Sequence, residues 1–120
     1  PAPKQITATD AQWDVVLKGM WGVVNGGGTG QGIRIADFEI AGKTGTAQVA
    51  ALGKDVGAKK DHAWFVSYAP AYKPEIAVLA LIENVGFGGC HTTPAARGIY
   101  DAYLVKRSPL PVTGQEVAKR

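Results

Sequence analysis

Ala63-Trp64-Phe65-Val66-Ser67-Tyr68 and Ile76-Ala77-Val78-Leu79-Ala80-Leu81-Ile82 are separated by Pro70-Ala71-Tyr72-Lys73-Pro74. Aromatic and β-branched side chains suit a pleated, half-buried surface, so both runs read as strands. The turn between them is bracketed by two prolines and is short enough to make the strands antiparallel neighbours. The second run shows no polar alternation, which predicts a strand buried on both faces. Such a strand needs a cover on each side and a neighbour along its free edge.

Upstream, the pattern from Phe38 also has period two. Phe38, Ile40, Gly42, Thr44 and Thr46 share one face, and Glu39, Ala41, Lys43, Gly45 and Ala47 the other. This predicts another strand, joined to the next by a polar, glycine-containing connection over Lys54 to Lys60. Nearer the N-terminus, Thr9-Asp10-Ala11-Gln12 fits a capping box. Trp13, Val16, Leu17, Met20, Val23 and Val24 then recur at three- and four-residue steps, and Asn25-Gly26 is expected to supply a left-handed stop. Five glycines in Gly26 to Gly32 mark a loop. No P-loop spacing follows it, so phosphate binding is not expected there.

Downstream, Gly86-Phe87-Gly88-Gly89 breaks the chain, and Thr93-Pro94 reads as a cap followed by the first position of a helix. Ala96, Ile99, Tyr100, Tyr103 and Leu104 form its apolar face, and Lys106-Arg107 complement its dipole before Ser108-Pro109. The expectation is a mixed α/β (α+β) fold of helix, three antiparallel strands and C-terminal helix over residues 1–107, with a mobile tail at 108–120.

Composition narrows the function classes. The 120 residues are 46% hydrophobic with a formal charge of +3 from thirteen basic and ten acidic residues, which suits one soluble domain. No run nears the ~18 apolar residues of a membrane span, so no membrane contact is expected. Basic residues are not interleaved with aromatics as in a nucleic-acid groove. Cys90 is the sole cysteine, which excludes an intrachain disulfide and a cysteine-based zinc cluster. Cys90-His91 lacks partners at zinc spacing, so no metal site is expected and Cys90 reads as a small residue before a helix cap.

Lys43-Thr44-Gly45-Thr46 packs a cation, two hydroxyls and a glycine into four strand residues. Lys43 can attract a carboxylate or help move a proton, Thr44 and Thr46 can donate hydrogen bonds, and Gly45 permits close backbone approach. On a sheet edge such a strand can pair with an extended peptide while the Thr46 N–H faces the carbonyl under attack, as half of an oxyanion hole. By itself the tetrad is also what a solvated edge strand carries by chance.

Its context weighs against chance, because the motif does not stand alone. Ala41-Gly42-Lys43-Thr44-Gly45-Thr46-Ala47-Gln48 resembles the third active-site motif of the penicillin-binding transpeptidases, and Asp61-His62-Ala63-Trp64-Phe65, Tyr68-Ala69-Pro70 and Glu83-Asn84 resemble later segments of their class B, elongation-type members. The resemblance covers roughly Thr9 to Lys106. It implies part of a penicillin-binding-protein/serine β-lactamase-like domain, on the extracytoplasmic (periplasmic) side of the inner membrane. There a serine attacks the D-Ala-D-Ala end of a peptidoglycan stem peptide and passes the acyl group to an amine. β-Lactams trap that serine. Carried over, Lys43 holds the electrostatic and proton network, Thr44 and Thr46 the substrate carboxylate, the Thr46 N–H the oxyanion, and Gly45 leaves space for the peptide. No cofactor is implied.

The departure is that no Ser-x-x-Lys and no Ser-x-Asn occurs in these 120 residues. This chain alone therefore lacks the nucleophile and is expected to be inactive without the N-terminal part of such a domain. Either it is one piece of a split or clipped enzyme or it is a truncated segment, and the incomplete edge of the third strand favours association with a missing half. A serine β-lactamase or D,D-carboxypeptidase segment, a non-catalytic peptide-binding module and a structural sensor-type domain are the rival readings.

Other residues suggest packing. Asp61 and His62 are adjacent on a strand and point to opposite faces, so they read as strand-opening residues, not a catalytic pair. Trp13 and Trp64 are expected in the core, whereas Trp21 falls off the helix stripe and is expected to cover part of the missing half.

Overall fold

A computed structural model describes residues 2–49 and 60–107. In chain order it comprises α1 (Asp10–Asn25), a 3-10 turn (Gln31–Ile33), β1 (Ala41–Ala47), β2 (His62–Ala69), β3 (Ile76–Ile82) and α2 (Gly88–Arg107). The strands form one antiparallel sheet in the order β1-β2-β3, which is the mixed fold expected. The connection expected at 54–60, apart from Lys60, and the tail expected at 108–120 lie outside the described residues.

α1 begins at its capping box: Thr9 Oγ1 accepts the Gln12 N–H at 3.3 Å and Gln12 Oε1 accepts the Thr9 N–H at 2.9 Å. At its other end the Asn25 amide donates to the Trp21 carbonyl (3.1 Å) and to the Ile40 carbonyl (2.9 Å), tying the helix to the start of β1. The left-handed residue beyond α1 is Gly27 (φ 79°), one place later than the sequence suggests; Gly26 has φ −98°. The first strand also starts later than expected, because Ile35 and Phe38 form an isolated bridge around Asp37, whose φ is 61°.

Strand register decides the core. Thr44 opposes Phe65 and Phe65 opposes Ala80; Gly42 opposes Ser67 and Ser67 opposes Val78. Alternation puts these residues on one face, and α2 lays Ala96 and Tyr100 against it beside Val24, Ile33, Phe38 and Ile40. Tyr100 donates to Ser67 Oγ at 3.1 Å, and Ser67 donates onward to the Val78 carbonyl at 3.4 Å, so this buried polar chain is satisfied. Burial raises the Tyr100 phenol above its ordinary pKa, with the Ser67 hydrogen bond opposing the rise.

The opposite face is bare. Trp64, Leu79 and Leu81 are 44%, 62% and 56% exposed, so neither the core position expected for Trp64 nor the double burial expected for β3 is met by this chain. The same holds for α1, whose stripe is covered towards its C-terminal end, at Met20, Val23 and Val24, while Trp13 remains 40% exposed. The apolar patterns are present, but the described residues supply a cover for one sheet face and one helical turn. Trp21 does find a partner: its indole N–H donates to Glu39 Oε2 at 3.1 Å.

α2 starts at Gly88, ahead of the cap expected at Thr93-Pro94. Pro94 lies inside the helix, and the Thr93 hydroxyl donates to the Gly89 carbonyl one turn earlier. Cys90 is thus an exposed helical residue. Ile99, expected on the apolar face, is largely exposed, whereas Tyr103 and Leu104 pack against the core. Glu75 accepts from Tyr103 at 2.9 Å and from Arg107 at 3.0 Å, which pins the end of α2 to the β2–β3 turn.

One glycine in β1 is dictated by packing. A Cβ at Gly42 would lie 2.6 Å from Cζ of Phe65 and 2.9 Å from the Val66 carbonyl oxygen, and the buried ring has nowhere to retreat. Gly42→Ala is expected to destabilise the fold by about 1–3 kcal/mol, the usual cost of overpacking. The denaturation midpoint of the purified variant checks this; an unchanged midpoint contradicts the packing argument.

Candidate functional site

β1 has β2 on one side and, among the described residues, no strand on the other. Its free edge borders a groove of about 720 Å³ lined by Lys43, Thr44, Gly45 and Thr46. Thr29 and Gln31 line it from the segment after α1, and Phe87, Cys90 and Thr93 from the start of α2. The four residues singled out in the sequence are therefore brought together on one wall, with neutral side chains opposite them.

Among the described residues, Lys43 is the only charged one in that lining. Its ammonium donates to the Thr44 carbonyl at 2.6 Å, and it takes part in no ion pair among the described residues. A cation in a groove without carboxylates selects an anion. Thr44 faces the α2 side, and its hydroxyl meets that of Thr29 at 2.8 Å. Gly45 lies opposite Trp64, and a Cβ there would fall 2.0 Å from the indole Nε1, so this glycine makes room for the Trp64 ring.

The rim of the groove is held by residues whose role the sequence did not disclose. The Asp61 carbonyl accepts the N–H groups of Val85 (3.1 Å) and Gly86 (2.9 Å), and His62 Nδ1 accepts that of Asn84 at 3.1 Å. With Nδ1 accepting, a neutral His62 carries its proton on Nε2. Asp61 Oδ1 also accepts the Val49 N–H at 3.1 Å just beyond β1. These bonds position the turn that presents Phe87, which is 87% exposed, at the mouth of the groove. The strand-opening role expected for Asp61 and His62 thus extends to bracing the site.

A second, largely apolar cleft of about 580 Å³ lies between α1 and the 70–74 turn, lined by Leu17, Trp21, Tyr68, Tyr72 and Pro74. The buried Tyr68 hydroxyl has no hydrogen-bond partner there, and burial raises its pKa. The cleft adjoins the bare sheet face, and Asp14 and Lys18 are the charged residues among its described lining. Among the described residues no group of three or more His, Cys, Asp or Glu side chains could hold a metal ion, and no helix is long and apolar enough to cross a membrane.

Comparison with known proteins places the chain in a family. Residues 1–101 match the penicillin binding protein transpeptidase domain. The chain is 41% identical over 109 residues to the peptidoglycan D,D-transpeptidase MrdA of Haemophilus influenzae, covering 82% of this chain and 17% of that protein. It superposes on the crystal structure of Pseudomonas aeruginosa PBP2 in complex with WCK 5153 with a TM-score of 0.70 at 38% identity, covering 86% of this chain and 22% of that one. Penicillin-binding protein A of M. tuberculosis, solved as a penicillin G acyl-enzyme complex, aligns with a TM-score of 0.57 at 28% identity, over 76% of this chain and 20% of that one. The chain thus spans about a fifth of the length of these proteins.

Proposed function

Because the chain belongs to the penicillin-binding protein transpeptidase family, we propose that it is the C-terminal segment, residues 1–107, of an elongation-type peptidoglycan D,D-transpeptidase, and that it furnishes the substrate-binding and oxyanion strand of the site. The observation that carries this reading is the placement of Lys43-Thr44-Gly45-Thr46 along a strand edge that is free among the described residues, beside a groove whose other described lining residues are uncharged.

In this reading a stem peptide ending in D-Ala-D-Ala lies along β1 as an added strand. Lys43 and the hydroxyls of Thr44 and Thr46 hold its terminal carboxylate, and the Thr46 N–H stabilises the oxyanion that forms when the serine attacks. Collapse of that intermediate breaks the amide bond, releases D-alanine and leaves the acyl-enzyme, whose ester is then attacked by an amine of a neighbouring peptide with the serine hydroxyl as leaving group. A β-lactam enters the same way and stays. The serine comes from the N-terminal remainder of the domain, which also covers Trp64, Val66, Leu79 and Leu81 and offers Tyr68 its missing partner. The site works on the extracytoplasmic side, where the substrate is, and needs no cofactor.

Fluorescent penicillin tests the assignment. Incubated alone, the chain is expected to take no label, by denaturing separation and intact mass. Incubated with the serine-bearing remainder of the domain, the label is expected on that partner. Label on this chain contradicts the assignment of the nucleophile elsewhere, and rapid release of hydrolysed penicillin from the assembled domain favours a β-lactamase.

A further inference from the structure

The glycine-rich segment after α1 has no role in the proposed chemistry, yet it carries Thr29 and Gln31 to the groove, and Thr29 touches the motif strand. Its backbone is tightly held: Gly30 donates to the Val23 carbonyl at 2.9 Å and Gln31 to the Gly28 carbonyl at 3.2 Å. A Cβ at Gly28 would lie 2.6 Å from Cα of Val23, and one at Gly89 would lie 2.8 Å from the Thr29 carbonyl oxygen. The glycines let the end of α1, this segment and the first turn of α2 close against one another. That closure fixes the backbone at Thr29, whose hydroxyl reaches Thr44 Oγ1 at 2.8 Å across fifteen residues of chain.

One proton lies between the two oxygens. A hydroxyl has a single O–H, so Thr44 can give its own to an anion in the groove only by accepting in this contact, with Thr29 as donor. Accepting a hydrogen bond also polarises a hydroxyl and strengthens the bond it donates. Resting on the reading of Thr44 as a carboxylate donor, we infer that Thr29 is a positioning residue for this site: it donates to Thr44 Oγ1, sets the rotor of that hydroxyl and aims its proton at the carboxylate of the peptide or β-lactam. Lys43 supplies attraction with little direction; the Thr29–Thr44 pair supplies direction. The segment that superficially suggests a phosphate loop serves here as a rigid arm for one hydroxyl.

The test is acylation kinetics of the complete transpeptidase domain containing this chain, with penicillin G and its methyl ester as probes. Thr29→Val is expected to lower acylation efficiency toward the acid about tenfold, through the concentration needed for half-saturation, while the limiting acylation rate stays near wild type. Toward the ester, which offers only a neutral acceptor, the loss is expected to be under about threefold. Thr29→Ser keeps the hydroxyl and is expected to act like wild type. The Thr29→Val/Thr44→Val double variant is expected to be no slower than Thr44→Val alone. Wild-type kinetics in Thr29→Val, equal losses in the serine and valine variants, equal losses on acid and ester, or multiplying losses in the double variant each overturn the inference. Thr44→Val with unaltered kinetics instead removes the carboxylate role of Thr44, and this inference falls with it.

Discussion

Thr46→Pro is expected to slow acylation of the complete domain by penicillin roughly 10²- to 10³-fold, the range for losing one oxyanion donor, about 2.7–4 kcal/mol. Every second N–H of β1 points away from β2, and the proposed geometry makes the Thr46 N–H one of these. Proline removes that donor and nothing from the ladder, since edge strands tolerate proline where the N–H faces outward. The unfolding midpoint of Thr46→Pro should therefore stay close to wild type while the acylation rate collapses. Thr46→Ala, which keeps the N–H and loses only the hydroxyl, should lose less than about tenfold. If the alanine and proline variants fall by the same factor, the side chain and not the backbone carries the role. If proline unfolds the domain, the N–H belongs to the β1–β2 ladder and the oxyanion assignment fails.

Lys43→Ala is expected to reduce acylation by a carboxylate-bearing β-lactam about 10- to 100-fold, the worth of a charge-assisted hydrogen bond of roughly 1.5–3 kcal/mol. Two local facts set this size. Among the described residues Lys43 is the sole charged one lining the groove, and its side chain is exposed, so salt weakens its attraction. The wild-type acylation efficiency should accordingly fall between low and physiological ionic strength, and that dependence should flatten in Lys43→Ala. A salt response that persists unchanged in the variant assigns the attraction to another group. Fold stability should hardly change, because Lys43 is exposed and, among the described residues, its ammonium bonds the carbonyl of its neighbour Thr44.

Both predictions begin from a motif legible in the chain itself. Lys43-Thr44-Gly45-Thr46, the capping box at Thr9 and Gln12, and the period-two runs of β1 and β2 are local patterns, each set by residues within a few positions of one another. Helix, strand and turn could be placed from them because backbone preferences and side-chain periodicity act over that range. The boundaries that moved are those where a distant segment intervenes. α2 begins at Gly88 because its first turn abuts Thr29 across the fold, and the strand expected from Phe38 is interrupted by the Asp37 turn.

The groove was less legible. Thr29 reaches Thr44 over fifteen residues, His62 holds Asn84 over twenty-two, and Phe87 comes to the mouth of the groove through bonds to Asp61. None of these pairs shares a period or a motif; strand register and the closure permitted by Gly28 and Gly89 create them. The exposed tryptophans teach the same lesson. The amino-acid pattern at Trp13, Trp64, Leu79 and Leu81 declares apolar surfaces that seek burial, because hydrophobicity belongs to the side chain. Which of those surfaces obtains a cover depends on what packs against it, and in this chain α2 covers one sheet face while the other stays open.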